Sequence, residues 1–106
     1  MMADRDRQIL DLFVTCVRER FPDADVWAFG SRVRGDATWE SDLDVCVVDN
    51  DLTQADHYTI GDIAWEVGFE HGLVIIPICF TREAFERGPM SASTLVANIL
   101  QEGIMA

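Results

Sequence analysis

Asp42 and Asp44, with a single leucine between them, are the residues of this chain with the most chemistry in their spacing. Two apart on an extended strand, both side chains point to one face, about 6.5–7 Å apart along the backbone. Like charges held this way repel. A hard divalent cation such as Mg²⁺ relieves the repulsion, because it takes oxygen ligands and favours one or two carboxylates plus substrate phosphates. Upstream, across a spacer of ten residues, Gly30 and Ser31 end an apolar run. Glycine lets a backbone approach a phosphate closely, and serine offers both an N–H and a hydroxyl. If residues 31–35 open a helical turn, its free amides point at the same spot, and Arg32 and Arg34 add positive charge. Taken singly, Asp-x-Asp reads as a solvated strand start and Gly-Ser as a plain β-turn. Taken together they describe a site for a nucleoside triphosphate with Mg²⁺.

The elements that must position these residues follow from periodicity and punctuation. Ile9, Phe13, Cys16 and Val17 share one face of a helix over 3–21, which Pro22 and Asp23 stop. Residues 25–30 read as a first strand, 31–41 as a short helical turn and loop, and 42–48 as a second strand. On that strand Leu43, Val45 and Val47 face a core opposite the two aspartates. Asp51 or Thr53 can cap a helix over about 53–70, whose stripe is Ile60, Ile63, Ala64 and Val67 and which Gly72 closes. The run "LVIIPICF" (73–80) is a third strand, and its Pro77 marks a sheet edge or a bulge. Thr81 caps a short helix. Ser91 or Ser93 caps a last one, carrying Leu95, Val96, Ile99 and Leu100 and ending at Gly103. The order α-β-(turn)-β-α-β-α-α predicts one α/β (α+β) domain over 1–106, a small mixed sheet flanked by helices.

Composition narrows the partners. The net charge of −11 repels a nucleic-acid backbone, so no polymeric nucleic acid is expected as ligand. All eight basic residues are arginine. No apolar run approaches the ~20 residues of a membrane span, and the N-terminus, rich in acids and arginines, is unlike a signal peptide. No membrane partner and a cytoplasmic location are expected. The three cysteines are read as reduced core residues, and the proline-bearing strand invites self-association.

The string "GSRVRGDATWESDLDVCVV" resembles the G-S-x10-D-x-D signature of the polymerase-β nucleotidyltransferase superfamily. Within it the chain is similar to the minimal nucleotidyltransferases, which run "GSRARG…SDIDL", and the likeness continues into the tail "FTREAFERGPMSASTLVANILQEGIM". The resemblance implies a polymerase-β-like fold. It implies that Gly30 and Ser31 hold the triphosphate, that Arg34 lies near the phosphates or braces the loop, and that Asp42 and Asp44 ligate Mg²⁺ and are catalytic. It further implies transfer of a nucleoside monophosphate, typically AMP from ATP, to an acceptor hydroxyl, and pairing as an antitoxin with a small helical HEPN-type protein.

The match breaks at the superfamily's third carboxylate. In its expected place on the third strand stand Val74, Ile75 and Ile76. Glu70, Asp49 and Asp51 are the acids that could substitute, although each reads more simply as a solvated loop or helix-end residue. The alternative function is therefore a catalytically weakened module that binds a nucleotide or only a partner. Elsewhere, His57 and His71 lack zinc-site spacing. Trp27 reads as core, Trp39 as loop packing or a base platform, Trp65 as packing or an interface, and Tyr58 as an exposed helix position.

Overall fold

The computed structural model describes residues 1–88 and 93–106. Helix α1 (Asp4–Arg20) is followed by strand β1 (Asp25–Phe29), the one-turn helix α2 (Ser31–Arg34), strand β2 (Leu43–Asp49), helix α3 (Gln54–His71) and strand β3 (Ile75–Thr81). Helices α4 (Arg82–Arg87) and α5 (Thr94–Glu102) and a two-residue strand β4 (Ile104–Met105) complete the chain. Local chemistry sets the ends. Thr53 and Asp56 close a reciprocal capping box on α3, and Gly72 ends that helix in the left-handed conformation. Thr81 caps α4 and Ser93 caps α5. Ser91, the other candidate cap, lies outside the described residues.

The sheet has the order β3-β2-β1-β4. β1 runs antiparallel to both β2 and β4, while β2 and β3 are parallel and joined through α3. Helices α1 and α3 cover one face, where Phe13, Val26, Val45, Val47 and Ile60 are buried together. The other face carries Phe29, Cys46 and Val48 against Phe85, Val96 and Ile99. β2 is therefore buried on both faces beyond Asp44, and the amphipathic strand expected from the aspartates exists only at its first residues. Helices on both faces of the sheet, α1 and α3 on one and α4 and α5 on the other, produce this. The strand β4 has no counterpart in the sequence pattern. Two residues carry too little pattern to register, and Ala106 completes the pairing by donating its amide to the Val26 carbonyl at 2.9 Å.

Pro77 lies on the edge strand, as one of its two expected placements required. Leu43 donates to the Val74 carbonyl at 2.9 Å, so the even residues of β3 bond to β2 and the odd ones face the free edge. Pro77 falls among the odd ones, and its missing N–H costs the ladder nothing. The cysteines are free thiols; burial pushes Cys46 to about 12 and Cys79 to about 11. No helix among the described residues is long and apolar enough to cross a membrane.

Candidate active site

The antiparallel register pairs Phe29 with Asp44, so the end of β1 and the start of β2 lie side by side. Gly30 follows with φ +82° and ψ −161°, a conformation open to glycine alone, and it starts α2. A β-carbon at this position would collide with the Asp44 carboxylate. The Gly30 backbone and the Asp44 side chain are therefore in direct apposition at the adjoining ends of β1 and β2. Ser31 is the first residue of α2, where amides have no carbonyl acceptor within the helix. Gly35 closes the turn in the left-handed conformation.

Asp42 lies one residue before β2 and is exposed, whereas Asp44 is half-buried. In its row across the sheet Asp44 stands between Phe29 of β1 and Ile76 of β3. Burial raises its pKa above the ordinary carboxylate value. The Asp42 charge acts in the same direction, and Arg34 opposes both. Two oxygen-donor side chains, one already destabilised as an anion by the other, suit a hard divalent cation, so Asp42 and Asp44 could hold Mg²⁺. Among the described residues no third Asp, Glu, His or Cys joins them.

The two arginines of the motif part ways. Arg34 is exposed; its guanidinium lies 3.4 Å from Asp36 and 3.6 Å from Glu102 of α5, and its field reaches Asp44. Arg32, expected to add positive charge for a phosphate, does not. It is buried, and its Nη1 donates to both carboxylate oxygens of Asp6 at 3.1 and 3.0 Å. Its Nε donates to the Ser41 carbonyl at 2.8 Å, and its Nη2 to those of Thr38 and Trp39, each at 3.4 Å. Arg32 thus fastens the loop that delivers Asp42. Sequence reasoning missed Asp6 altogether, because one acid among several in the first turn of α1 carries no signal of its partner.

The substitute acids lie elsewhere. Asp49 is at the far end of β2, paired with Thr81, about 16 Å of strand from Asp44. Asp51 follows it beyond the strand. Glu70 faces the α1 side, where its charge acts on Cys16. Trp39 stands 87% exposed, so it does not pack its own loop. It lines a cleft of about 470 Å³ with Asp42, Gly72 and Val74. Trp27 is only half-buried, and Tyr58 is exposed as expected.

The sequence pattern of the nucleotidyltransferase domain matches residues 10–105, and the chain belongs to that family. Over 65 residues it is 35% identical to a Haemophilus influenzae protein named as a probable protein adenylyltransferase, MntA; the aligned part spans 55% of this chain and 57% of that protein's length. The backbone superposes with a TM-score of 0.61 and 17% identity on a crystal structure of a mutant MntA-HpeT toxin–antitoxin, covering 94% of this chain and 70% of the other. A complex of a tri-AMPylated Shewanella oneidensis HEPN toxin with its MNT antitoxin superposes with a TM-score of 0.54 and 17% identity, covering 95% and 67%. At such identities the structural likeness establishes the fold, a mixed sheet flanked by helices.

Proposed function

We propose that residues 1–106 act as one minimal nucleotidyltransferase domain. It transfers a nucleoside monophosphate, AMP from ATP, to a hydroxyl on a partner protein, and serves as the antitoxin of a HEPN-type partner. The observation that carries this reading is the apposition of Gly30 and Asp44, with Asp42 beside them, on two adjacent strand ends. Gly30 and the amides that open α2 would cradle the triphosphate, with the Ser31 hydroxyl as a further donor and Arg34 as the near cation. Asp42 and Asp44 would ligate Mg²⁺, which when bound neutralises the triphosphate and the departing pyrophosphate. The names of the relatives, an adenylyltransferase and two toxin–antitoxin complexes, support AMP as the group and a HEPN protein as the acceptor. Three free thiols suit a reducing cytoplasm.

The test is transfer from α-labelled ATP to a HEPN-type partner in the presence of Mg²⁺. Label should reach the partner, and Asp42→Asn or Asp44→Asn should abolish transfer while partner binding persists. With −11 charge on the chain, the rate of association with a basic partner should fall as salt rises.

One observation favours a second reading. Ile76 stands directly beside Asp44, where an acid would complete the carboxylate set. On that reading the chain binds nucleotide or partner without turnover. No label would then move at any Mg²⁺ concentration, and partner binding would survive both substitutions.

A further inference from the structure

Between α3 and the strand β3 runs a groove of about 540 Å³. Its floor is opened by the small residues Gly61 and Gly68; Trp65 and Phe69 of α3 form one side, and the edge backbone that carries Val74 and Ile76 forms the other. These four large side chains are 66%, 74%, 58% and 40% exposed. Trp65 and Phe69 stack with ring centroids 4.9 Å apart and planes 8° from parallel, which makes a stiff apolar ledge. A patch of this kind on a strongly charged protein marks a docking surface.

Charge selects the occupant. Asp62 and Glu66 are exposed on α3, each three residues before an aromatic of the stacked pair and so adjacent to it. Glu40 and Asp42 lie beyond Val74, in the cleft that shares Gly72, Leu73 and Val74 with the groove. Among the described residues no Arg lines the groove. Arg5, near its Gly72 end, is engaged with the His71 carbonyl. A second copy of this chain would bring another −11 charge onto the same acids. Backbone geometry narrows the shape. Adding a strand to β3 would use its odd residues, and Pro77 interrupts that row of donors.

We propose that this groove receives an amphipathic, basic helix of a partner protein. Its apolar face would lie over Trp65 and Phe69 between α3 and β3, and its Lys or Arg residues would meet Asp62, Glu66, Glu40 and Asp42. The docking goes beyond nucleotide transfer and needs none.

The probe is a 14-residue amphipathic helical peptide of Leu and Lys, with a scrambled peptide of the same composition as control, titrated into the ¹⁵N-labelled chain without nucleotide. The amphipathic peptide should move the Trp65 indole and the amides of Gly68, Val74 and Ile76, and bind at least about tenfold more tightly than the scramble. Trp65→Ala and Phe69→Ser, both surface changes, should each weaken it about tenfold or more. Asp62→Asn with Glu66→Gln should flatten its salt dependence. Equal binding of both peptides, shifts spread over the whole acidic surface, unchanged affinity in both aromatic variants, or burial of Trp65 by self-association would each overturn the proposal. Because no ATP is present, failure here leaves the transferase reading untouched, and failed label transfer leaves this one untouched.

Discussion

Arg32 and Asp6 are joined by a buried ion pair, one guanidinium nitrogen meeting both carboxylate oxygens, that ties the first turn of α1 to the loop preceding Asp42. Their side chains are only 9% and 6% exposed. Removing one partner strands the other's charge in the interior, which costs about 3–5 kcal/mol. Arg32→Met should lower unfolding stability by that amount in urea titrations. Asp6→Leu combined with Arg32→Met should recover part of the loss, since no charge is then stranded. It should not recover all, because the carbonyls of Thr38, Trp39 and Ser41 still lose their donor. A single variant within 1 kcal/mol of the parent would show that the loop is held by something else.

Asp44 makes the opposite prediction. Its folded-state pKa is raised, first by burial and then by Asp42. A raised carboxyl binds its proton more tightly in the folded chain than in the unfolded one, so the fold loses stability as pH rises through the interval between the two pKa values. At neutral pH the ionised Asp44 opposes folding. Asp44→Asn should therefore raise the thermal midpoint at pH 7, and the gain should vanish at a pH below the unfolded carboxylate value of about 3.9. Mg²⁺ should raise the midpoint of the parent and leave that of the variant nearly unchanged. A variant that melts below the parent at pH 7 would contradict the assigned burial.

Much of this arrangement was legible in the sequence, and the parts that were not share a cause. Strand β1 and helices α1 and α3 each carry either a full periodic stripe or a strong cap such as Thr53, so local pattern sufficed. The nearness of the Gly30 turn to Asp44 followed from motif spacing, because ten residues are enough for one helical turn and a return loop. What depended on distant partners was hidden. Arg32 and Arg34 sit two apart in one motif, yet one is consumed by Asp6 and the other lies between Asp36 and Glu102. The alternation of Leu43, Val45 and Val47 gave one face of β2. The burial of Cys46 and Val48 on the other depends on α4 and α5, which come more than thirty residues later.

Gly30 should tolerate no side chain. Its φ of +82° with ψ −161° is essentially closed to other residues and costs of order 1–3 kcal/mol when forced. In addition, the new methyl meets the Asp44 carboxylate. Gly30→Ala should destabilise the chain by at least that amount and weaken ATP binding in calorimetry. Asp44→Ala in the same molecule removes the collision and leaves the backbone strain. The double variant should thus be more stable than the two single effects added together. Strict additivity would mean that the two groups do not meet.

The last prediction concerns the position beside Asp44. Of the three apolar residues where a third acid is expected, the register separates their roles. Ile76 pairs with Asp44 and is 40% exposed, Val74 is exposed near Asp42, and Ile75 is 5% exposed and turned into the core with Leu43. Only Ile76 can bring a carboxylate to the same row and face as Asp44. Ile76→Asp should therefore add the third carboxylate that is missing among the described residues. Without metal it adds a third like charge and should lower the thermal midpoint; with Mg²⁺ it should bind the ion about tenfold or more tightly and regain stability. If a missing base limits turnover, label transfer should rise by about 10²-fold, the lower end of what a positioned general base contributes. Val74→Asp should give a smaller gain in Mg²⁺ affinity, because it lies one pleat away. Ile75→Asp should unfold the chain, since it buries an unpaired charge. An Ile76→Asp protein that folds but gains neither Mg²⁺ affinity nor transfer would mean that the apolar residue at 76 does not stand in place of an acid, and that the row through Asp44 belongs to a binding surface alone.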